Sequence, residues 1–364
     1  MSTASQTKTL LLRAPKAASR RSGLGRVILR RLLVVPFLVL AVITVVFFCM
    51  RLVPGSPATA LGTAGTDGLT QQQVQENIDN IAEQLGLNKP LWLQYLDYIG
   101  AVLRLDLGYS AFAGQDVTTV LATRLPATLE LTIAAMFIAV LVGGIAGIIA
   151  AVRRGRTTDN VILWFSTVSF SLPWFALGIL GIMIFSVGLG WLPVLGRMPA
   201  SLGYVPTTGF VLIDAIIQGR PELIGPWLVH LILPATTLAI AMAGFITRMT
   251  RASVLEVLND DFVRTARMKG LSEPVILRRH VLRNSALPVV TVLGLQFGAL
   301  LSGSVITEMV FAYPGVGNLI VSAVNQRDYM LVQGAVLIVA FLFILTNVIV
   351  DLLYLVLDPR LRKA

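Results

Sequence analysis

Six apolar runs, each long enough to cross a bilayer, constrain this chain of 364 residues more than any other feature it carries. They occupy residues 32–50, 127–152, 161–187, 227–247, 286–307 and 331–357. About 20 apolar residues in a helix cover the roughly 30 Å of bilayer hydrocarbon, where a helix satisfies its own backbone polar groups. The predicted fold class is therefore all-α, a polytopic membrane protein with six transmembrane helices. Composition agrees: 55% of residues are hydrophobic, 13% are charged and the mean hydropathy is +0.80, whereas a soluble domain carries about a quarter charged residues. The net charge of +10 does not mark a nucleic-acid binder, because long apolar runs separate the basic residues and no continuous basic face results. The partner that this charge fits is the lipid bilayer.

Basic residues are retained on the cytoplasmic side of a membrane. Lys and Arg number twenty-two in the tail before residue 32, the loop at Arg153, Arg154 and Arg156, the segment 248–283 and the C-terminal tail, against seven in the alternate loops. Both termini are predicted to be cytoplasmic. The tail itself, with eight basic residues and no acid, reads as a disordered segment on anionic lipid. The first run has no small-residue cleavage pattern before Arg51, so it is read as a retained anchor. Within the runs the charged residues are Glu130 and Asp351, both near segment ends, where a charge costs far less than at the bilayer centre; they read as end-anchored side chains. Cys49 is the only cysteine, so neither a disulfide nor a thiolate metal cluster can form within the chain.

The domain division is a basic tail over 1–31, a first span over 32–50, an extracytoplasmic domain over 51–126, and a core over 127–364 with a cytoplasmic loop at 248–285. The extracytoplasmic insertion is too long for a turn. Val74, Ile78, Ile81 and Leu85 recur at helical spacing before Gly86, and Leu91, Tyr95, Tyr98, Ile99 and Val102 form a second amphipathic face after Pro90; a small helical cap is expected. In the loop, Val254, Leu255 and Leu258 continue the fourth span. Asn259-Asp260-Asp261 then offers an N-cap to a short helix over 262–269, with Phe262, Ala266 and Val263 on its apolar side, Arg264, Arg267 and Lys269 on its polar side, and Gly270 as its stop. Such a helix fits either a peg for a cytoplasmic partner or a connector at the lipid interface.

Small residues repeat every fourth position at Gly143 and Gly147 and at Gly294, Gly298 and Ser302, a spacing that lets helices approach closely. Gln296 and Ser302 are the candidate pore-lining residues. Pro173 and Pro234 are expected to kink spans three and four. No catalytic residue and no metal site is expected: His230 and His280 are the only histidines and do not form an H-E-x-x-H pair.

The loop residues Asp261-Phe262-Val263-Arg264-Thr265-Ala266-Arg267-Met268-Lys269-Gly270-Leu271, followed by Leu277-Arg278-Arg279-His280-Val281-Leu282-Arg283-Asn284, resemble the EAA loop of ABC importer permeases in the dipeptide, oligopeptide and nickel branch. Arg264-Thr265-Ala266 stands where the general pattern has Glu-Ala-Ala, and Leu282-Arg283 where many permeases have Leu-Pro, departures similar to those of that branch. Further matches are Arg51-Leu52-Val53-Pro54-Gly55-Ser56-Pro57, Leu85-Gly86-Leu87-Asn88-Lys89-Pro90, Asp106-Leu107-Gly108, Arg124-Leu125-Pro126-Ala127-Thr128-Leu129-Glu130, Phe311-Ala312-Tyr313-Pro314-Gly315-Val316-Gly317, Arg327-Asp328-Tyr329 and Asp358-Pro359-Arg360.

The resemblance covers nearly the whole chain after residue 25 and implies the type I importer permease fold in a bacterial inner membrane. It implies as partners a sister permease, two ATPase domains and an extracytoplasmic substrate-binding protein. ATP and Mg would be bound by the partner ATPase, since this chain has no G-x-x-x-x-G-K-[ST] loop to cradle phosphates, and no cofactor is expected in the chain itself. The ATPase-coupling helix would be carried by Asp261, Phe262, Arg264, Thr265, Ala266, Arg267, Lys269 and Gly270. Di- or oligopeptides are the implied substrates, with nickel chelates or glutathione as the alternative. A secondary transporter lacks support from intramembrane carboxylates or broken repeats, and an intramembrane serine protease using Ser302 or Ser304 with His230 rests on residue type alone.

Overall fold

The computed structural model describes residues 22–52, 56–62 and 70–357. The tail through residue 21, residues 53–55 of the motif after the first span, and the terminal Asp358-Pro359-Arg360 lie outside the described residues. The first span is α1 (Ser22–Leu52). It is followed by α2 (Pro57–Gly62), α3 (Gln71–Gln84) and α4 (Leu91–Leu103). A short antiparallel hairpin, β1 (Tyr109–Ser110) with β2 (Gln115–Asp116), then leads into α5 (Val117–Val152).

The helical insertion forms for local reasons. Thr70 and Gln73 make a capping box at the start of α3, each side chain answering the other's backbone N–H, and Gly86 turns the chain with φ +65°. The apolar face of α4 docks on α1: the rings of Tyr95 and Tyr98 lie 5.2 and 5.6 Å from that of Phe47, and Thr44 and Tyr95 hydroxyls are 2.6 Å apart. Leu91, assigned to the same face from its spacing, points away and is exposed.

The core is built around α5 and α9 (Ile224–Leu258). Leu131, Ala135 and Ala139 of α5 pack with Trp227, Leu231, Leu238 and Ile246 of α9. Gly143 and Gly147 bring the two backbones together: a Cβ at Gly147 would stand 2.7 Å from the Thr247 carbonyl oxygen, and one at Gly143 2.7 Å from that of Ala243. These carbonyls belong to a helix and cannot step aside. Gly147→Val is therefore expected to destabilise the fold by at least about 1–3 kcal/mol, read as a lower melting temperature of the purified protein in detergent; an unchanged melting temperature would refute the close contact. Gly294 and Gly298 similarly face Val350 and Phe343, so both repeats are helix-packing surfaces.

The third span is broken. α6 (Thr157–Ser171) and α7 (Trp174–Gly181), which runs on as a π-helix over Ile182–Gly188, meet at 99° across Leu172-Pro173. Pro173 supplies no N–H to continue α6. By contrast α9 runs on through Pro234 without a break. α8 (Val211–Ile217) precedes α9. Beyond α9 come α10 (Asp261–Met268), α11 (Glu273–Val275) and a π-helical turn, Ile276–Val281. α12 (Leu282–Val310), α13 (Val316–Asn325) and α14 (Tyr329–Leu357) complete the chain. Among the described residues four helices are long and apolar enough to cross a membrane, and two bent pairs, each counted as one span, make six. α13 was hidden in what reads as a connector.

Candidate functional site

The segment between α9 and α12 leaves the bundle as an arm held by its own small core. Val254 and Val257 of α9, Val263 and Ala266 of α10, and Ile276 and Val281 are buried against Ala151 at the end of α5. Positions 263 and 266 lie on one side of a helix, so α10 turns this side inward. Phe262, assigned from the sequence to the same apolar side, is instead exposed. It joins exposed Met268, Leu271 and Val275 in an unpaired apolar set, on a segment whose other exposed side chains include Asp261, Arg264, Thr265, Arg267 and Lys269. α10 also runs one residue earlier at each end than the 262–269 read from the sequence.

Asp260 is its N-cap residue, without a side-chain bond to the helix. Its C-terminus closes as a Schellman turn: Leu271 N–H donates to Ala266 O at 3.3 Å and Gly270 N–H to Arg267 O at 2.9 Å, with Gly270 at φ +78°, a conformation that costs glycine nothing. Arg264 lies 3.7 Å from Asp261 and Arg267 donates to Glu273 at 2.7 Å; both pairs are exposed and weak. Thr265 bonds back to Asp261 O, and Lys269 has no ion-pair partner among the described residues. The arm's root is clamped more firmly. Arg251 donates through two nitrogens, each at 2.7 Å, to buried Asp159, which also accepts from Gly155 N–H at 2.9 Å. This bidentate pair fixes the turn between α5 and α6 to the arm.

At the opposite end of the bundle, buried carboxylates hold the connecting segments: Asp328 accepts from the Ser110 hydroxyl and from the Phe112 and Leu331 N–H groups, and Glu130, Asp214 and Glu308 act likewise. Glu130 is not merely end-anchored: it accepts from Arg197 Nε at 3.0 Å, Trp227 Nε1 at 3.1 Å and Val211 N–H at 2.6 Å. Asp214 accepts from the hydroxyls of Tyr204 and Thr208 and from the N–H groups of Thr207, Thr208 and Gly209. Burial raises its pKa, but the Thr208 and Tyr204 hydroxyls and the amides outweigh that effect and hold its carboxyl down at about 2. Glu308 lies just past the apolar run that ends at 307. It is fully buried in α12 and accepts from Thr128 at 2.7 Å, Ser304 at 3.3 Å and Asn318 N–H at 3.0 Å. Thr128 in turn accepts from Val316 N–H at 2.8 Å. The first turn of α13 is thus capped from two other helices, and Gly315 and Gly317 are the residues that let its backbone close on the carboxylate.

The two pore-lining candidates are separated. Gln296 faces a cavity between the break in span three, α9 and α12. Ser302 faces a larger apolar cavity, about 1200 Å³, between α1, α12 and α14. Ser304 is occupied with Leu301 O and Glu308, and His230 bonds the carbonyl of Pro226 in its own helix.

The sequence model described as "Binding-protein-dependent transport system inner membrane component" matches residues 143–363, and that of the corresponding N-terminal region matches residues 24–132. The "Di/tripeptide transport system permease protein DppB" of Pseudomonas aeruginosa is 43% identical over 316 residues, 87% of this chain and 92% of the relative. The "Dipeptide transport system permease protein DppB" of Escherichia coli is 42% identical over 341 residues, 92% and 98% of the two chains. The "Glutathione transport system permease protein GsiC" of E. coli is 40% identical over 339 residues, 93% and 99%. Among solved structures, an inward-facing conformation of the MetNI methionine ABC transporter is similar with TM-score 0.50 and 17% identity, covering 66% of this chain and 96% of that one, a likeness of fold. The chain belongs to the binding-protein-dependent transport system inner membrane components: it is a multi-pass permease subunit of an ABC importer, with the type I fold.

Proposed function

We propose that this subunit forms, with a sister permease, the path through which an ATP-driven importer takes up di- or oligopeptides. The observation that carries this reading is the identity of 42–43% to permeases named for dipeptide and di/tripeptide transport, over nearly the whole length of both chains. ATP and Mg are held by two partner ATPase domains, and an extracytoplasmic binding protein delivers the peptide to the end of the bundle that carries α4 and α8. Both termini and the α10 arm face the cytoplasm. α10 and its flanks seat in a groove of the ATPase: exposed Phe262 enters it, Arg264, Arg267 and Lys269 meet its rim, and buried Ala266 with Val263 returns the load to the bundle. Asp261 and Thr265 shape the first turn, and Gly270 sets the exit angle. Gln296 lines the path, and Ser302 lies away from it in a separate cavity.

The test is purification of the tagged subunit in mild detergent with identification of what accompanies it, then uptake by the reconstituted complex. Recovery of a second permease and an ATPase, with hydrolysis stimulated by binding protein and dipeptide, is the expected result. A subunit that purifies alone and takes up substrate without an ATPase would overturn it. The 40% identity to a permease named for glutathione transport supports a second reading, a glutathione-like tripeptide as substrate, and competition between glutathione and dipeptide in the same uptake assay separates the two.

A further inference from the structure

The cavity that Gln296 faces has a volume of about 410 Å³, within the range of small-molecule sites. Its walls come from the middles of three spans. Gln296 is the midpoint of α12, beside a 41° bend between Gly294 and Gln296; Pro173 marks the break halfway along span three; Ala241 is the midpoint of α9. Phe170, Trp174, Met242 and Phe245 supply the apolar surface, and among the described residues no charged side chain lines it. One polar group stands out. Among the described residues the Gln296 carboxamide has no hydrogen-bond partner. An unpaired polar group midway along a span is costly in hydrocarbon, so a cavity that keeps one is made to face water or a polar solute. The Trp174 indole N–H is unpaired as well, but it is buried within the wall and is not offered to the cavity.

We propose that this cavity is a binding site for the peptide bond of the solute in transit, with Gln296 as its recognition group. The inference rests on the peptide-import reading above. A carboxamide offers one acceptor and two donors, so it can pair with both the N–H and the C=O of one peptide unit. The aromatic and methionine walls take apolar side chains of varied shape. With no fixed charge, the site reads what all peptides share, the amide, and leaves the termini to pore water.

The test uses the complete importer reconstituted in vesicles on a Cys49→Ser background. Gln296→Cys is expected to react with a water-soluble, membrane-impermeant maleimide at least tenfold faster than Phe137→Cys, whose side chain lies exposed on α5, and a transported dipeptide is expected to slow that reaction. Gln296→Leu is expected to lower dipeptide uptake by about five- to tenfold, with Gln296→Asn nearer the unmodified rate. A complex that imports dipeptide while Gln296→Cys stays as inert as Phe137→Cys, or in which Gln296→Leu imports at the unmodified rate, overturns the site alone. Absence of dipeptide uptake by the unmodified complex overturns both this site and the reading on which it rests.

Discussion

Glu130→Ala is expected to cost about 3–5 kcal/mol of stability, the range seen when one partner of a buried ion pair is removed. Its carboxylate is where Arg197, the Trp227 indole and the Val211 amide converge, and with alanine there a guanidinium and two N–H groups are left buried without an acceptor. Arg197 also donates to the Gly209 carbonyl at 2.7 Å, so the charge cannot simply swing into water without freeing the segment before α8. Thermal unfolding of the purified protein in detergent should show a drop of several degrees. The Glu130→Ala, Arg197→Ala double variant should regain part of it, because the unpaired charge is gone. A single variant that melts with the unmodified protein would show that the pair contributes nothing.

The second large effect belongs to Gly270. Gly270→Pro is expected to abolish coupled uptake while the subunit still assembles, with ATP hydrolysis continuing. Proline holds φ near −65° and has no N–H, whereas this position needs φ +78° and donates to Arg267 O; the Schellman turn and the exit direction of α10 are both lost. Gly270→Ala separates geometry from bulk. A Cβ there would touch nothing, so the cost is the left-handed conformation alone, about 1–2 kcal/mol, and uptake should fall only modestly. Normal uptake by the proline variant, measured beside hydrolysis in the reconstituted complex, would remove α10 from the coupling path.

The spans were legible in the sequence because an apolar run of this length has one stable solution in a bilayer. The helices of the insertion were legible too, since Gly86 and Pro90 act on their nearest neighbours. What was not legible depended on distant partners. Glu308 sits at the edge of an apolar run and looks like the first polar residue of a loop; its donor Thr128 is on another span. Asp159 drew no attention until Arg251 was placed beside it. Phe262 has the apolarity of an inward residue, and only the packing of Val263 and Ala266 against Ile276 and Val281 shows that it faces out. In the stretch Phe311-Ala312-Tyr313-Pro314-Gly315-Val316-Gly317 the family likeness was plain, but its physical reason, two glycines that admit a carboxylate to a helix N-terminus, appears only in three dimensions.

α9 is a single helix of 35 residues, about 52 Å from end to end at 1.5 Å per residue. Its contacts with α5 and α6 run through the backbones themselves, at Gly143, Gly147 and Gly244, so little side-chain give is available to absorb a push. Such a rod behaves as a lever. A tilt of about 5° pivoting at the clamped Arg251 end would sweep the Trp227 end, about 36 Å away, through roughly 3 Å, enough to break the hydrogen bonds gathered at Glu130 or to form them. Leverage of this kind lets a small rocking of the arm become an all-or-none change at the far face of the membrane.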